Sequence, residues 1–192
     1  GTKFGKTADG AVWLDAQRTS PYQFRQFWMQ MADADVVKYL PQFSLASMEE
    51  VSALLATHLS DPGKRNAQRS LATELTVLVH GADAARDAEA AAEILFGGDP
   101  NGATREALQA VASEVPNSVV TREELEDVFG LLARSGVASS TSDARRSVEQ
   151  GGIKVNGQTL EKGETLASKG ILHDRWVVVR KGKTTYHVLT LA

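Results

Sequence analysis

Apolar residues recur at helical spacing through most of the chain and give way to short strand-like runs toward its end. Phe24, Phe27, Trp28 and Met31 lie three and four apart behind Ser20, Pro21 and Gln23, which predicts a capped helix with a core-facing aromatic stripe. Val36, Val37 and Leu40 follow Asp33 and Asp35 and predict a short helix stopped near Pro41. Ser47 and Glu50 form a capping box for a helix bearing Val51, Leu54, Leu55 and Leu59, which ends before Asp61-Pro62-Gly63. Ala67, Leu71, Leu75, Leu78 and Val79 predict the next helix, closed by Gly81. An alanine-rich helix spans 83–96 up to Gly97-Gly98, and a last one spans 104–112. Stripes of this kind bury against one another, so the region reads as a helical bundle.

The pattern breaks at Val115-Pro116-Asn117-Ser118, and 115–124 reads as a linker. Thr121 and Glu124 cap a helix through Leu125, Val128, Phe129, Leu131 and Leu132. Ser140 caps a second helix carrying Asp143, Arg145 and Arg146, which Gly151 and Gly152 end. Ile153 and Val155 then alternate with Lys154, and Asn156-Gly157 supplies the two positive-φ residues of a type I′ hairpin turn. Strands at 175–180 and 185–191 complete a small sheet around Lys181-Gly182-Lys183. The fold class is α+β: a helical bundle followed by a two-helix-plus-sheet module.

Composition narrows the possibilities only modestly. With 192 residues and 42% hydrophobic content the chain can bury a core in one or two domains. No apolar run is long enough for a transmembrane helix, no leader pattern is present, and there are no cysteines; no membrane role is expected, and a cytoplasmic location is. His58 and His80 have no second ligand at helical spacing, so no metal site is expected. Charge is more informative. Residues 1–124 hold 11 Lys and Arg against 17 Asp and Glu, net −6, whereas residues 125–192 hold 10 against 7, net +3. A basic module on an acidic body points to a polyanionic partner for the module.

Within that module, Arg145 and Arg146 near a helix start, beside Lys154, suit phosphate contact. On the local pattern alone, a nucleic-acid site and a solvated helix face both remain open. At the other end, Lys3-Phe4-Gly5-Lys6-Thr7 lacks the spacing of a Walker phosphate loop. A turn at Asp9-Gly10 and a short strand around 11–14 with Trp13 follow it.

Lys3-Phe4-Gly5-Lys6-Thr7 resembles the KMSKS-type signature of class I aminoacyl-tRNA synthetases, in the form used by bacterial tyrosyl-tRNA synthetases. Trp13-Leu14 and Ser20-Pro21-Tyr22 through Phe27-Trp28 resemble that family in order and spacing. Ser142-Asp143-Ala144-Arg145-Arg146 leading to Gly152-Ile153-Lys154-Val155-Asn156-Gly157 resembles the ribosomal S-four type RNA-binding fold. The resemblance implies the end of a catalytic domain at 1–18, an anticodon-binding helical domain at 19–114, a linker at 115–124 and an S-four type domain at 125–192. It implies that Lys3, Lys6 and Thr7 are catalytic, meeting the charge on leaving pyrophosphate, with Lys6 binding ATP. RNA contacts carry over to Arg145, Arg146, Lys154 and Asn156, with Ser142 and Asp143 as capping residues. Lys181 and Lys183 are secondary RNA candidates that could equally keep a sheet edge soluble. Near Asp61-Pro62-Gly63 the cluster Lys64, Arg65, Asn66, Gln68 and Arg69 is a further polar face for RNA in the helical domain.

What the resemblance implies for function is a tyrosine-tRNA ligase that activates L-tyrosine with ATP, with Mg, and passes it to tyrosine tRNA, gripped at its long variable arm. The family assembles as a homodimer through a catalytic half, expected upstream with its Rossmann-type nucleotide site. The isolated chain is therefore expected to bind tRNA, to need no cofactor, to be inactive alone, and to be monomeric or weakly associated. A free-standing RNA-binding module would leave the KMSKS-like start unexplained. A helical interaction scaffold would leave the basic module unexplained.

Overall fold

The structure is a computed structural model that describes residues 6–7 and 10–192, with side chains from Ala11 onward. Lys3 lies outside the described residues, and of Lys6 and Thr7 the backbone alone is described. The chain divides into two compact units, one ending at Glu89 and the other starting at Ala90.

The first unit opens with two paired strands, β1 (Lys6–Thr7) and β2 (Gly10–Ala11). Helices α1 (Pro21–Met29), α2 (Asp33–Phe43), α3 (Met48–Ser60) and α4 (Asn66–His80) follow. The caps form as the sequence predicts: Ser20 accepts from the Gln23 N–H, and Ser47 and Glu50 make a reciprocal box. Helix α2 stops near Pro41 as expected, running only two residues past it to Phe43, since the missing N–H and the ring's clash with the carbonyl four residues back disfavour a further turn. Phe24, Trp28, Met31, Val36, Leu40, Val51, Ala67, Leu71 and Leu75 fill one core, so the aromatic stripe of α1 is packing surface rather than a platform for bases. Helix α5 (Ala82–Leu95) comes next in the chain.

In the second unit α6 (Arg105–Glu114) precedes β3 (Asn117–Val120). Helices α7 (Val128–Arg134) and α8 (Thr141–Glu149) lead to β4 (Ile153–Val155), β5 (Gln158–Thr159), β6 (Trp176–Lys181) and β7 (Thr185–Leu191). The sheet order is β3-β7-β6-β4-β5, antiparallel except for β3 against β7. The 115–124 stretch is therefore not a free linker. Val119 and Val120 favour extended backbone, Pro116 stands just before the strand where its missing N–H costs no ladder bond, and its carbonyl accepts from the Val188 N–H at 2.9 Å. The Thr121/Glu124 box forms, but over a short 3-10 turn at Glu123–Glu126, and Asp127 caps a separate α7.

Alternation decides which side chains meet which helices. Ile153, Val155, Val177, Val179 and Leu189 share a core with Leu131, Leu132, Ala144 and Val148 of α7 and α8. Residues between them in the strands leave on the opposite face. There α6 packs near β7, with Ala107, Leu108, Val111 and Ala112 buried. The apolar stripe of α6 thus belongs to the sheet unit, not to the helical bundle with which its periodicity groups it.

Candidate nucleic-acid interface

Helix α8 begins where Ser140, in extended backbone, accepts a hydrogen bond from the Asp143 N–H at 3.1 Å. Asp143 answers by accepting from the Ser139 N–H at 3.0 Å and the Ser139 hydroxyl at 3.1 Å. The Lys181 ammonium approaches the same carboxylate at 2.6 Å, from the end of β6. The Lys181 hydrogen bond and ammonium charge, with the Ser139 donors, hold the Asp143 carboxyl well below the ordinary range. Asp143 is thus a capping group, as expected, and also a clamp between α8 and the sheet.

That clamp settles the arginines' company. Arg146 is 3.5 Å from Asp143, a loose pair, and its side chain remains 69% exposed. Arg145 lies over the ring of Phe129 at 5.1 Å and makes no ion pair among the described residues. With Thr141, Ser142 and Glu149 the two arginines line an open groove along α8. Glu149 is engaged by Lys162 at 3.6 Å. The groove therefore presents two guanidinium groups and two hydroxyls, and its one lining carboxylate already has a cation beside it. Such a surface can accept phosphate oxygens with little rearrangement.

The other residues singled out in the sequence fall into three situations. Lys183 sits exposed in the β6–β7 turn, which is tied toward α8 by the Gly182 N–H donating to the Gly152 carbonyl at 2.9 Å. Lys181 reaches the same helix but is occupied by Asp143, so it acts as a fixed counter-charge rather than a free donor. Lys154 is not brought to α8 at all. Standing between Ile153 and Val155, it leaves the sheet on the opposite face, beside Arg180, Val178 and Gly97. The alternation that identifies β4 carries this information.

Asn156 is a correction. It is fully buried, and its side chain donates to the Gly170 carbonyl at 2.9 Å and to the Lys169 carbonyl at 3.3 Å, while its Oδ1 accepts from the Val178 N–H at 2.8 Å. Its own carbonyl accepts from Asn101 at 2.9 Å. No edge is left for RNA. The turn itself is as expected, with φ of 47° at Asn156 and 81° at Gly157. The Lys64–Arg69 cluster is likewise largely consumed: Arg65 donates to the carbonyls of Met29 at 2.6 Å and Met31 at 2.9 Å. Gln68 is buried and donates to Asp33 at 2.7 Å. Lys64 faces Asp61 at 3.2 Å, and Arg69 is exposed. His58 and His80 lie apart, His58 with Asp33 3.5 Å away and His80 edge-on to Phe24.

Residues 1–97 match the family described as tRNA synthetases class I (W and Y). The chain belongs to that family. Residues 106–189 match a second family, described as the tyrosine--tRNA ligase SYY-like C-terminal domain, a span that takes in α8 and the sheet as far as Leu189. A tyrosine--tRNA ligase of Anaeromyxobacter dehalogenans is 46% identical over 190 residues, spanning 97% of this chain and 45% of that protein. One from Roseiflexus castenholzii is 42% identical over 196 residues, spanning 100% of this chain and 46% of that protein. The crystal structure of a C-terminally truncated Aspergillus nidulans mitochondrial tyrosyl-tRNA synthetase is 35% identical with a TM-score of 0.43, over 45% of this chain and 25% of that one. This synthetase-family chain spans a little under half the length of the curated relatives it matches, and corresponds to their C-terminal portion. Among its described residues no helix is long and apolar enough to cross a membrane.

Proposed function

We propose that the chain serves as the tRNA-binding portion of a tyrosine-tRNA ligase, and that α8 is its grip on the RNA backbone. The observation that carries this reading is the pair Arg145 and Arg146. They stand exposed on a capped helix whose two carboxylates already have lysines beside them, Asp143 with Lys181 and Glu149 with Lys162. Arg145, Arg146 and Lys183 contact phosphates, and positioning outweighs base reading because exposed cations on an open surface suit the RNA backbone. The tRNA of choice is tyrosine tRNA, in keeping with the names of the relatives. The long variable arm is the element held.

In the same reading the enzyme of which this chain forms part joins L-tyrosine to ATP as tyrosyl-adenylate, releasing pyrophosphate, and then passes the tyrosyl group to the terminal adenosine of tyrosine tRNA, releasing AMP. It works as a homodimer in the cytoplasm, with its catalytic half upstream in the same enzyme. Lys3 and Lys6 neutralise the leaving pyrophosphate and Thr7 donates a hydrogen bond, the support being their KMSKS-like order. Removing one such contact costs on the order of 3 kcal/mol of transition-state stabilisation. Alone, the chain binds tRNA and does not turn over.

The test is fluorescence anisotropy with a labelled tyrosine tRNA transcript. The wild-type chain is expected to bind with a clear salt dependence, and R145E/R146E to weaken binding by at least about tenfold. Unchanged affinity in that variant would remove α8 from the interface. Pyrophosphate exchange above background by the isolated chain with tyrosine and ATP would contradict its inactivity.

A further inference from the structure

Away from α8, a second set of cations converges on one aromatic ring. Trp176 opens β6 and is 1% exposed. The guanidinium carbon of Arg175 lies 5.3 Å from its ring centroid and that of Arg105, at the start of α6, lies 5.6 Å away. His173 meets the same ring edge-on at 6.4 Å, and its Nε2 is 2.9 Å from the Ala103 carbonyl. His173 and Asp174 both have positive φ, 49° and 55°, in the tight turn that Leu172 and Trp176 close. That turn is what brings Arg175 back onto the indole beside a residue some 70 positions earlier in the chain.

Arg105, His173 and Arg175 are all exposed. Glu106 and Asp174 adjoin them in sequence. Even so, among the described residues no carboxylate lies within ion-pair distance of either guanidinium. Arg134 of the same unit shows the ordinary alternative, held by Glu124 at 2.8 Å and Asp127 at 3.0 Å. Two arginines oriented by a ring and lacking counter-ions lose little freedom when an oxyanion arrives. Because the indole itself is buried, no base can stack on it; what the surface offers is N–H donors.

We infer that Arg105 and Arg175, backed by Trp176 and flanked by His173, form a second contact for an RNA phosphodiester backbone, separate from the α8 groove. The inference rests on the RNA-binding reading above. Trp176 and Lys181 stand at opposite ends of β6, about 17 Å apart at the usual rise per residue. Trp176 also leaves the strand on the face opposite Val177 and Val179, which pack toward α8. One straight stretch of backbone does not reach both places. The ligand that uses both is a folded RNA presenting two separate backbone segments.

The experiment titrates the full chain into fluorescein-labelled tyrosine tRNA transcript from about 50 to about 200 mM salt, where phosphate contacts dominate the slope. R105Q/R175Q is expected to bind about five- to tenfold more weakly and to reduce the slope of log affinity against log salt by between about one and two. R105K/R175K keeps the charge and is expected to retain the wild-type slope. The losses from R105Q/R175Q and R145E/R146E are expected to add, since the sites share no partner. Wild-type affinity and slope in R105Q/R175Q, with weakening in R145E/R146E, would overturn the second contact and leave α8 standing. The reverse pattern would support the second contact while removing α8. Equal losses in the lysine and glutamine variants would trace the effect to packing on Trp176 and overturn it, as would wild-type chain that binds no tRNA. Thermal melts of each variant separate a binding loss from unfolding.

Discussion

Two basic stretches, Lys64 to Arg69 and Arg145 to Arg146, look alike as sequence and behave differently as structure. In the first, Arg65 is spent on the carbonyls of Met29 and Met31 and Gln68 on Asp33, so the cluster holds the end of α1 against α4. In the second, the acids of the same helix are already paired with lysines, and the arginines face outward. A run of cations becomes a ligand surface only when the carbonyls and carboxylates near it are satisfied by something else. Asp143 with Lys181 does that for α8, whereas the bare carbonyls at the end of α1 claim Arg65 for themselves.

Four measurements bear on this contrast. The largest effect is expected at a residue that looks like a ligand group and is not. Asn156→Ala removes two donated bonds and strands the Val178 N–H, and should lower unfolding stability by about 3 to 4 kcal/mol in urea titrations. A variant of native stability with weakened RNA binding would return Asn156 to the interface. Arg65→Ala leaves two carbonyls without their guanidinium and should cost about 2 to 3 kcal/mol of stability. Its tRNA affinity, measured well below the unfolding transition, should stay within about twofold of wild type. An affinity loss there larger than that of R145E/R146E would erase the contrast.

Third, R145E/R146E should leave the unfolding free energy from urea titration within about 0.5 kcal/mol of wild type, because both side chains are exposed, while tRNA affinity falls. Fourth comes Asp143→Asn. The folded-state pKa of Asp143 lies below its ordinary value of 3.8, so its carboxylate stabilises the fold fully above that value and progressively less as pH drops beneath it. The wild type should therefore be slightly more stable than the asparagine variant near neutrality, and the two should converge as acid is added below about pH 4. Melting curves that stay parallel throughout would show that Lys181 does not stabilise the ionised form.

Much of this architecture is legible in the sequence, and the reasons are local. Ser20, Ser47 and Ser140 announce helix starts through bonds made within three residues, and Asn156-Gly157 announces its turn through two positive φ angles. What escapes depends on partners distant in sequence. No periodicity shows that β3 pairs with β7, that α6 packs near that strand, or that Arg105 and Arg175 share one ring. Lys154 is the instructive middle case. Its charge suggests a place beside the arginines of α8, but the alternation of Ile153 and Val155 sends it to the far face of the sheet. Asn156 departs from expectation because a hairpin tip is usually exposed, and here Asn101 and the Gly170 carbonyl close over it.

The parallel pairing of β3 with β7 has a consequence for how the sheet is made. Asn117 meets Val188 and Val120 meets Leu191, a closure of about 70 residues. Such long-range pairings slow folding, since loop entropy is lost before the contact stabilises anything. At the ribosome β3 emerges well before its partner and must wait with Val120, buried in the finished sheet, uncovered. The helices α7 and α8, whose contacts with each other are short-range, can form during that wait. The arginine-bearing surface is therefore expected to take shape before the sheet that finally pins it.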